Sequence, residues 1–110
     1  MDLPSSPEPP VVREIGTTSC TVTYRPPEHD GGAPVTGYIL ERRTPGPDSE
    51  WIRVDESLIA GKQYQYTIDN LTPATEYEFR VSAENMKGTS DESLQSQSVW
   101  TKVIYILSIC

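Results

Sequence analysis

Along much of this chain apolar and polar residues alternate one for one, and the alternation breaks at short intervals in clusters of Gly, Pro, Asp and Ser. In Ser19-Cys-Thr-Val-Thr-Tyr24 the apolar positions are Cys20, Val22 and Tyr24; in the stretch from Tyr77 to Ala83 they are Tyr77, Phe79, Val81 and Ala83. Period two turns every second side chain to one face, so these residues predict strands with one buried and one solvated face. Val35 to Arg43 reads the same way, with Tyr38 and Leu40 inward. Val11, Val12 and Ile15 suggest a first edge strand, Trp51-Ile-Arg-Val54 a short one, Tyr64 to Ile68 another, and the last is expected within Ser96 to Ile106. His29 to Pro34, Pro45 to Ser49 and Met86 to Ser90 carry the turn chemistry between them. No segment has a helix period. Seven candidate strands with frequent turns predict an all-β, antiparallel, two-sheet sandwich whose core includes Val22, Tyr24, Tyr38, Leu40, Ile68, Phe79 and Val81.

One corner sharpens this picture. Leu71-Thr-Pro-Ala-Thr-Glu-Tyr77 ends one strand and starts the next, and Leu71, Pro73 and Tyr77 mark it. A Tyr in that place can send its hydroxyl back to the turn while its ring joins the core, the tyrosine corner of immunoglobulin-like sandwiches.

Composition bounds the rest. At 110 residues there is room for one domain and one core, and an apolar content of 35% makes that core small. Residues 1–8 are rich in Pro and Ser and read as a poorly packed linker; residues 9–104 form the domain, and 105–110 an apolar tail atypical of such a domain. The start of the chain has neither a basic nor an apolar signal region. Sixteen acidic against nine basic residues leave a net charge of −7, which argues against nucleic acid and anionic membrane as partners. Cys20 and Cys110 are too few for a disulfide framework, no Cys/His cluster suggests a metal, and a reducing compartment is the simpler setting.

Tyr24-Arg-Pro-Pro, Asp30-Gly-Gly-Ala-Pro-Val-Thr-Gly-Tyr38-Ile-Leu-Glu-Arg, the corner and Arg80-Val-Ser-Ala-Glu-Asn85 together resemble the fibronectin type III family over roughly residues 9–88. Within it the Asp-Gly-Gly stretch is most similar to modules of the intracellular muscle giants titin, twitchin, projectin and myosin-binding protein C. The resemblance implies a seven-stranded immunoglobulin-like sandwich that needs no cofactor and acts as spacer and docking surface in a filament-associated, cytoplasmic, sarcomeric protein. Implied partners are neighbouring domains of the same parent and myosin or other thick-filament proteins. The alternative is an ectodomain module of a cell-adhesion receptor, for which Asn70-Leu-Thr72 would be the glycan acceptor.

Three departures from the family stand out. Tyr24 occupies a place usually held by Trp, so its hydroxyl needs a partner. Ser93-Leu-Gln-Ser96 replaces Ser-x-Pro-Ser ahead of the last strand, removing a Pro that would blunt a sheet edge. The close from Val103 to Cys110 is more apolar than the end of such a domain should be. Where immunoglobulin domains carry the second disulfide Cys, this chain has Phe79, so packing against Val22 or Cys20 would take over from a covalent tie.

Candidate chemistry is sparse. His29 is the single His and sits in a Gly/Asp/Pro loop, which favours an exposed polar residue over a general base. Cys20 has no basic neighbour and reads as a buried inert thiol. Arg42, Arg43, Trp51 and Arg53 are the candidate protein-binding residues, since exposed Arg and aromatic side chains make hot spots. The plainer reading makes them an edge cover and cross-strand pairs with Glu41, Glu50 or Glu78. As a last strand the tail would carry Val99, Thr101, Val103 and Tyr105 on one side; as a free end it could pair with a second copy.

Overall fold

The computed structural model describes residues 1–104, and the tail from Tyr105 to Cys110, with its expected self-pairing, lies outside the described residues. Two antiparallel sheets face each other. The first has the order β1 (Val11–Arg13), β2 (Cys20–Thr23), β6 (Gln65–Ile68). The second is built on β3 (Gly37–Arg43) and β7 (Glu76–Asn85). Two short pieces, β4 (Ile52–Arg53) and β5 (Ile59–Ala60), line the free edge of β3, while β8 (Gly88–Thr89) and β9 (Val99–Trp100) line that of β7. Each pair of pieces fills one strand place, so these elements occupy the seven places of an immunoglobulin-like sandwich.

Strand parity decides the core. In β7 Tyr77, Phe79, Val81 and Ala83 face inward, and register sets Val81 against Leu40 and Ala83 against Tyr38. These join Cys20, Val22, Tyr24, Ile68 and Leu71 in one buried cluster, with Val22, Tyr38 and Phe79 fully covered. The Tyr77 and Phe79 rings, both on β7, stack 6.4 Å apart within this cluster. At about 25 cal/mol per Å², burying an aromatic ring contributes a few kcal/mol. Tyr24 donates its hydroxyl to the Gln63 carbonyl at 2.8 Å, which satisfies the polar end that a Trp would not bring in that form. Gly37 is required by close approach, because a Cβ there would lie 2.8 Å from the Leu58 Cβ.

At the corner the Thr72 N–H donates to the Tyr77 hydroxyl at 2.8 Å, and Leu71 is buried while its N–H donates to the Thr18 carbonyl. Pro73 is half-buried beside them. Thr101, just after β9, closes the corner: its Oγ1 donates to the Thr72 carbonyl and accepts from the Thr75 N–H.

The last strand differs from the period-two expectation. Direct pairing to β7 is confined to Gly88–Thr89 and Val99–Trp100, and Val103 is 52% exposed. Between those ends Ser90, Ser93 and Ser96 do the work at period three. Each donates its N–H to a β7 carbonyl, of Ala83, Val81 and Phe79 respectively. Each also accepts, on Oγ, the N–H of that same residue at 2.9–3.0 Å. The hydroxyl proton then goes to the next residue's own carbonyl, of Asp91, Leu94 or Gln97. A serine side chain thus stands in for the strand carbonyl that a three-residue repeat cannot present, and the intervening residues such as Leu94 point to solvent.

A second difference concerns the N-terminal residues. The segment read as poorly packed chain lies against the domain, with Pro4, Pro7 and Pro10 buried. The Asp2 and Ser5 N–H groups donate to the Gly31 and His29 carbonyls.

Candidate protein-interaction face

On the second sheet the residues that parity turns outward form a mixed charged surface. Register places Glu41 opposite Arg80 and Arg43 opposite Glu78, and both pairs close: Arg43 Nε to Glu78 Oε1 at 2.6 Å, Arg80 Nε to Glu41 Oε1 at 2.9 Å. Arg80 reaches a second carboxylate, Glu92, at 3.7 Å. Trp51, just before β4, lies against both arginines, with the guanidinium carbons of Arg43 and Arg80 4.4 and 4.5 Å from the ring centroid. Each guanidinium is therefore held edge-on by a carboxylate and face-on by the indole. Arrangements of this kind restrict three long side chains at once, whereas a lone surface ion pair is worth about 0–1 kcal/mol. The result is a half-buried aromatic fixed in position on an exposed sheet, a suitable anchor for a partner.

Of the four residues singled out by sequence, Arg43 and Trp51 come together. Arg53 is exposed at the register position opposite Glu41, on the same face. Arg42 has the opposite parity: it lies over the Tyr77 ring at 5.6 Å, closing the end of the core. Grouping it with Arg43 is corrected by strand alternation, since neighbours in a strand point to opposite faces. Glu78 and Glu41 take the cross-strand pairs; Glu50 is exposed. Sequence reasoning missed Arg80, although its outward parity was readable, and Glu92, whose placement depends on the serine segment.

The chemistry-bearing residues lie elsewhere. His29 is exposed on the rim of an open cleft of about 610 Å³ whose wall includes Pro27, Tyr38, Lys62 and Tyr64. Cys20 is buried, and burial pushes its thiol up to about 11, away from thiolate chemistry at neutral pH. Among the described residues no group of three or more His, Cys, Asp or Glu side chains is arranged to hold a metal ion.

Two facing antiparallel sheets joined across a tyrosine corner define an immunoglobulin-like β-sandwich module. Residues 5–99 match the Fibronectin type III domain family, and the chain belongs to it. It is 39% identical over 97 residues to cardiac-type myosin-binding protein C of Gallus gallus, covering 88% of this chain and 7% of that protein. The chain therefore spans only a small part of the curated relatives it matches. Domains A168–A170 of titin superpose with a TM-score of 0.80 at 35% identity, covering 92% of this chain and 33% of theirs. The FN1–FN3 domains of chicken CNTN1 superpose with 0.79 at 27% identity, covering 92% and 33%.

Proposed function

We propose that this chain is a non-enzymatic structural and protein-interaction module of a large filament-associated, sarcomeric and cytoplasmic protein, serving as spacer and docking surface. The observation that carries this reading is the similarity to myosin-binding protein C along 88% of the chain. The geometry supports it: main-chain ladders and a buried core give a unit that keeps its shape, and the outer face presents Trp51 on a bed of Arg43, Arg80, Glu41 and Glu78. Its partners are neighbouring domains of its parent and, by likeness to myosin-binding protein C, myosin of the thick filament. Trp51, Arg43 and Arg53 are the proposed contact residues. Arg42 belongs to the end of the core.

Co-sedimentation of the purified chain with myosin filaments tests this directly. Binding that falls at least about fivefold in Trp51→Ala, with an unchanged circular dichroism spectrum, is the expected result. Absence of sedimentation by the unaltered chain removes myosin as a partner, and equal binding by Trp51→Ala removes this face. The likeness to the CNTN1 domains supports one second reading, an adhesion-receptor ectodomain. Asn70 is exposed at the corner with φ of 60°, so glycan mass on Asn70 after secretion from cultured cells would favour that reading.

A further inference from the structure

The eight residues that precede the domain proper have more bonds to it than a tether needs. Burial recurs at Pro4, Pro7 and Pro10, the three-residue period of polyproline II, while Leu3, Ser6 and Glu8 stay exposed. Fasteners occur on both sides. The Asp2 N–H donates to the Gly31 carbonyl at 2.7 Å, the Ser5 N–H to the His29 carbonyl at 2.9 Å, and the Ser6 hydroxyl to the Glu92 carbonyl at 2.9 Å. The His29 N–H returns a bond to the Ser5 hydroxyl at 3.0 Å.

Asn85, the last residue of β7 and 2% exposed, is the clasp. Its Nδ2 donates to the Asp2 carbonyl at 2.9 Å and to the Asp30 carbonyl at 2.7 Å, and its Oδ1 accepts the N–H groups of Lys87 and Gly88. All the bonding capacity of one amide side chain is thus used to join three separate segments. Gly31 leaves the room: its φ is +80°, and a Cβ there would collide with the Asp2 carbonyl.

We propose that residues 2–8 are an orientation strap, held by Asn85, that fixes the direction in which the chain enters this module. The idea deepens the spacer reading above and rests on it for its biological use. A flexible linker of eight residues has an end-to-end spread of about 16 Å and leaves an adjoining domain free to turn. Chain fastened at Asp2, Ser5 and Ser6 transmits orientation, so whatever is joined at Met1 is carried at a set angle to the sandwich.

Backbone ¹⁵N relaxation on the whole chain in solution tests the strap without any filament, so its outcome is separate from that of the myosin experiment. Heteronuclear NOE values at Leu3, Ser5 and Ser6 as high as those of β7 are expected. In Asn85→Ala they should fall towards free-chain values, and amide exchange at Asp2 and Ser5 should rise about tenfold or more, while Phe79 and Val81 stay protected. Should Asn85→Ala unfold the domain, Ser5→Ala, which alters only the strap side, should still speed exchange at Ser5. Free-chain values at residues 3–6 in the unaltered protein overturn the proposal. So does a folded Asn85→Ala variant with an unchanged strap.

Discussion

β7 is bonded along both edges, but by two different means. On the β3 side, seven consecutive residue pairs from Gly37–Glu84 to Arg43–Glu78 form an unbroken antiparallel ladder. On the other side main-chain pairing survives only at the two ends, and three serines at period three bond the middle with side chain and backbone together. The ladder repeats every two residues and so specifies the identity of every second side chain on each face. The serine segment specifies only every third residue. Its difference from β3 shows that a strand's main-chain groups must be satisfied, yet need not be satisfied by another strand. It also leaves the outside of the sheet without a continuous row of free donors and acceptors, the feature that invites edge-to-edge pairing.

The largest expected loss breaks the side of the comparison that rests on packing. Phe79→Ala should cost about 3–5 kcal/mol by urea unfolding, because the buried ring leaves a cavity between the sheets. Ser93→Ala tests the other side: it leaves the buried Val81 N–H without its acceptor and should cost about 1–3 kcal/mol, while Leu94→Ala, one residue on and 76% exposed, should stay within about 0.5 kcal/mol. Equal effects at 93 and 94 would show that the serine ladder contributes nothing to stability.

Alkali should act next in size. Burial raises Cys20 from 9.0 to about 11 and Tyr38 from 10.0 to about 12, and raises Tyr24 as well. The unfolded chain then loses these protons first, so the native state binds more protons and stability falls as pH rises, beginning near pH 9. The Cys20 thiol alone should remove about 1 kcal/mol by pH 10, seen as a lower urea midpoint that Cys20→Ala makes less steep. Of similar size, Glu78→Gln, which keeps an acceptor for Arg43 but removes the charge at a residue 8% exposed, should cost about 1 kcal/mol. Tyr38→Phe should be neutral or slightly stabilising, because the buried Tyr38 hydroxyl has no partner among the described residues.

Some of this organisation was legible in the chain and some was not, for reasons that differ by residue. Tyr77, Phe79 and Val81 could be placed because parity is local: a strand needs no knowledge of its neighbour to alternate. The Arg43–Glu78 pair was legible as one of several options, since opposite charges on paired strands seek each other, but only register chooses between Glu41, Glu50 and Glu78. Trp51 lying against both Arg43 and Arg80 could not be read, because it requires β4, β3 and β7 to be set side by side. Nor could the roles of Ser90, Ser93 and Ser96: Ser90 read as the end of a turn, and Ser93-Leu-Gln-Ser96 as the loss of a proline. Three hydroxyls reveal their purpose only beside the N–H groups of Ala83, Val81 and Phe79.

By itself, then, the sequence determined the fold class, the inward face of β2, β3 and β7 and the corner at Tyr77, all of which follow from short-range periodicity and turn chemistry. Tertiary structure decided the rest: which carboxylate each arginine takes, how β7 is completed on its outer edge, and that Pro4 and Pro7 are packed instead of free. Those outcomes depend on groups brought together across tens of residues, Asn85 with Asp2 and Asp30 among them, and a contact of that kind leaves no period in the chain to be read.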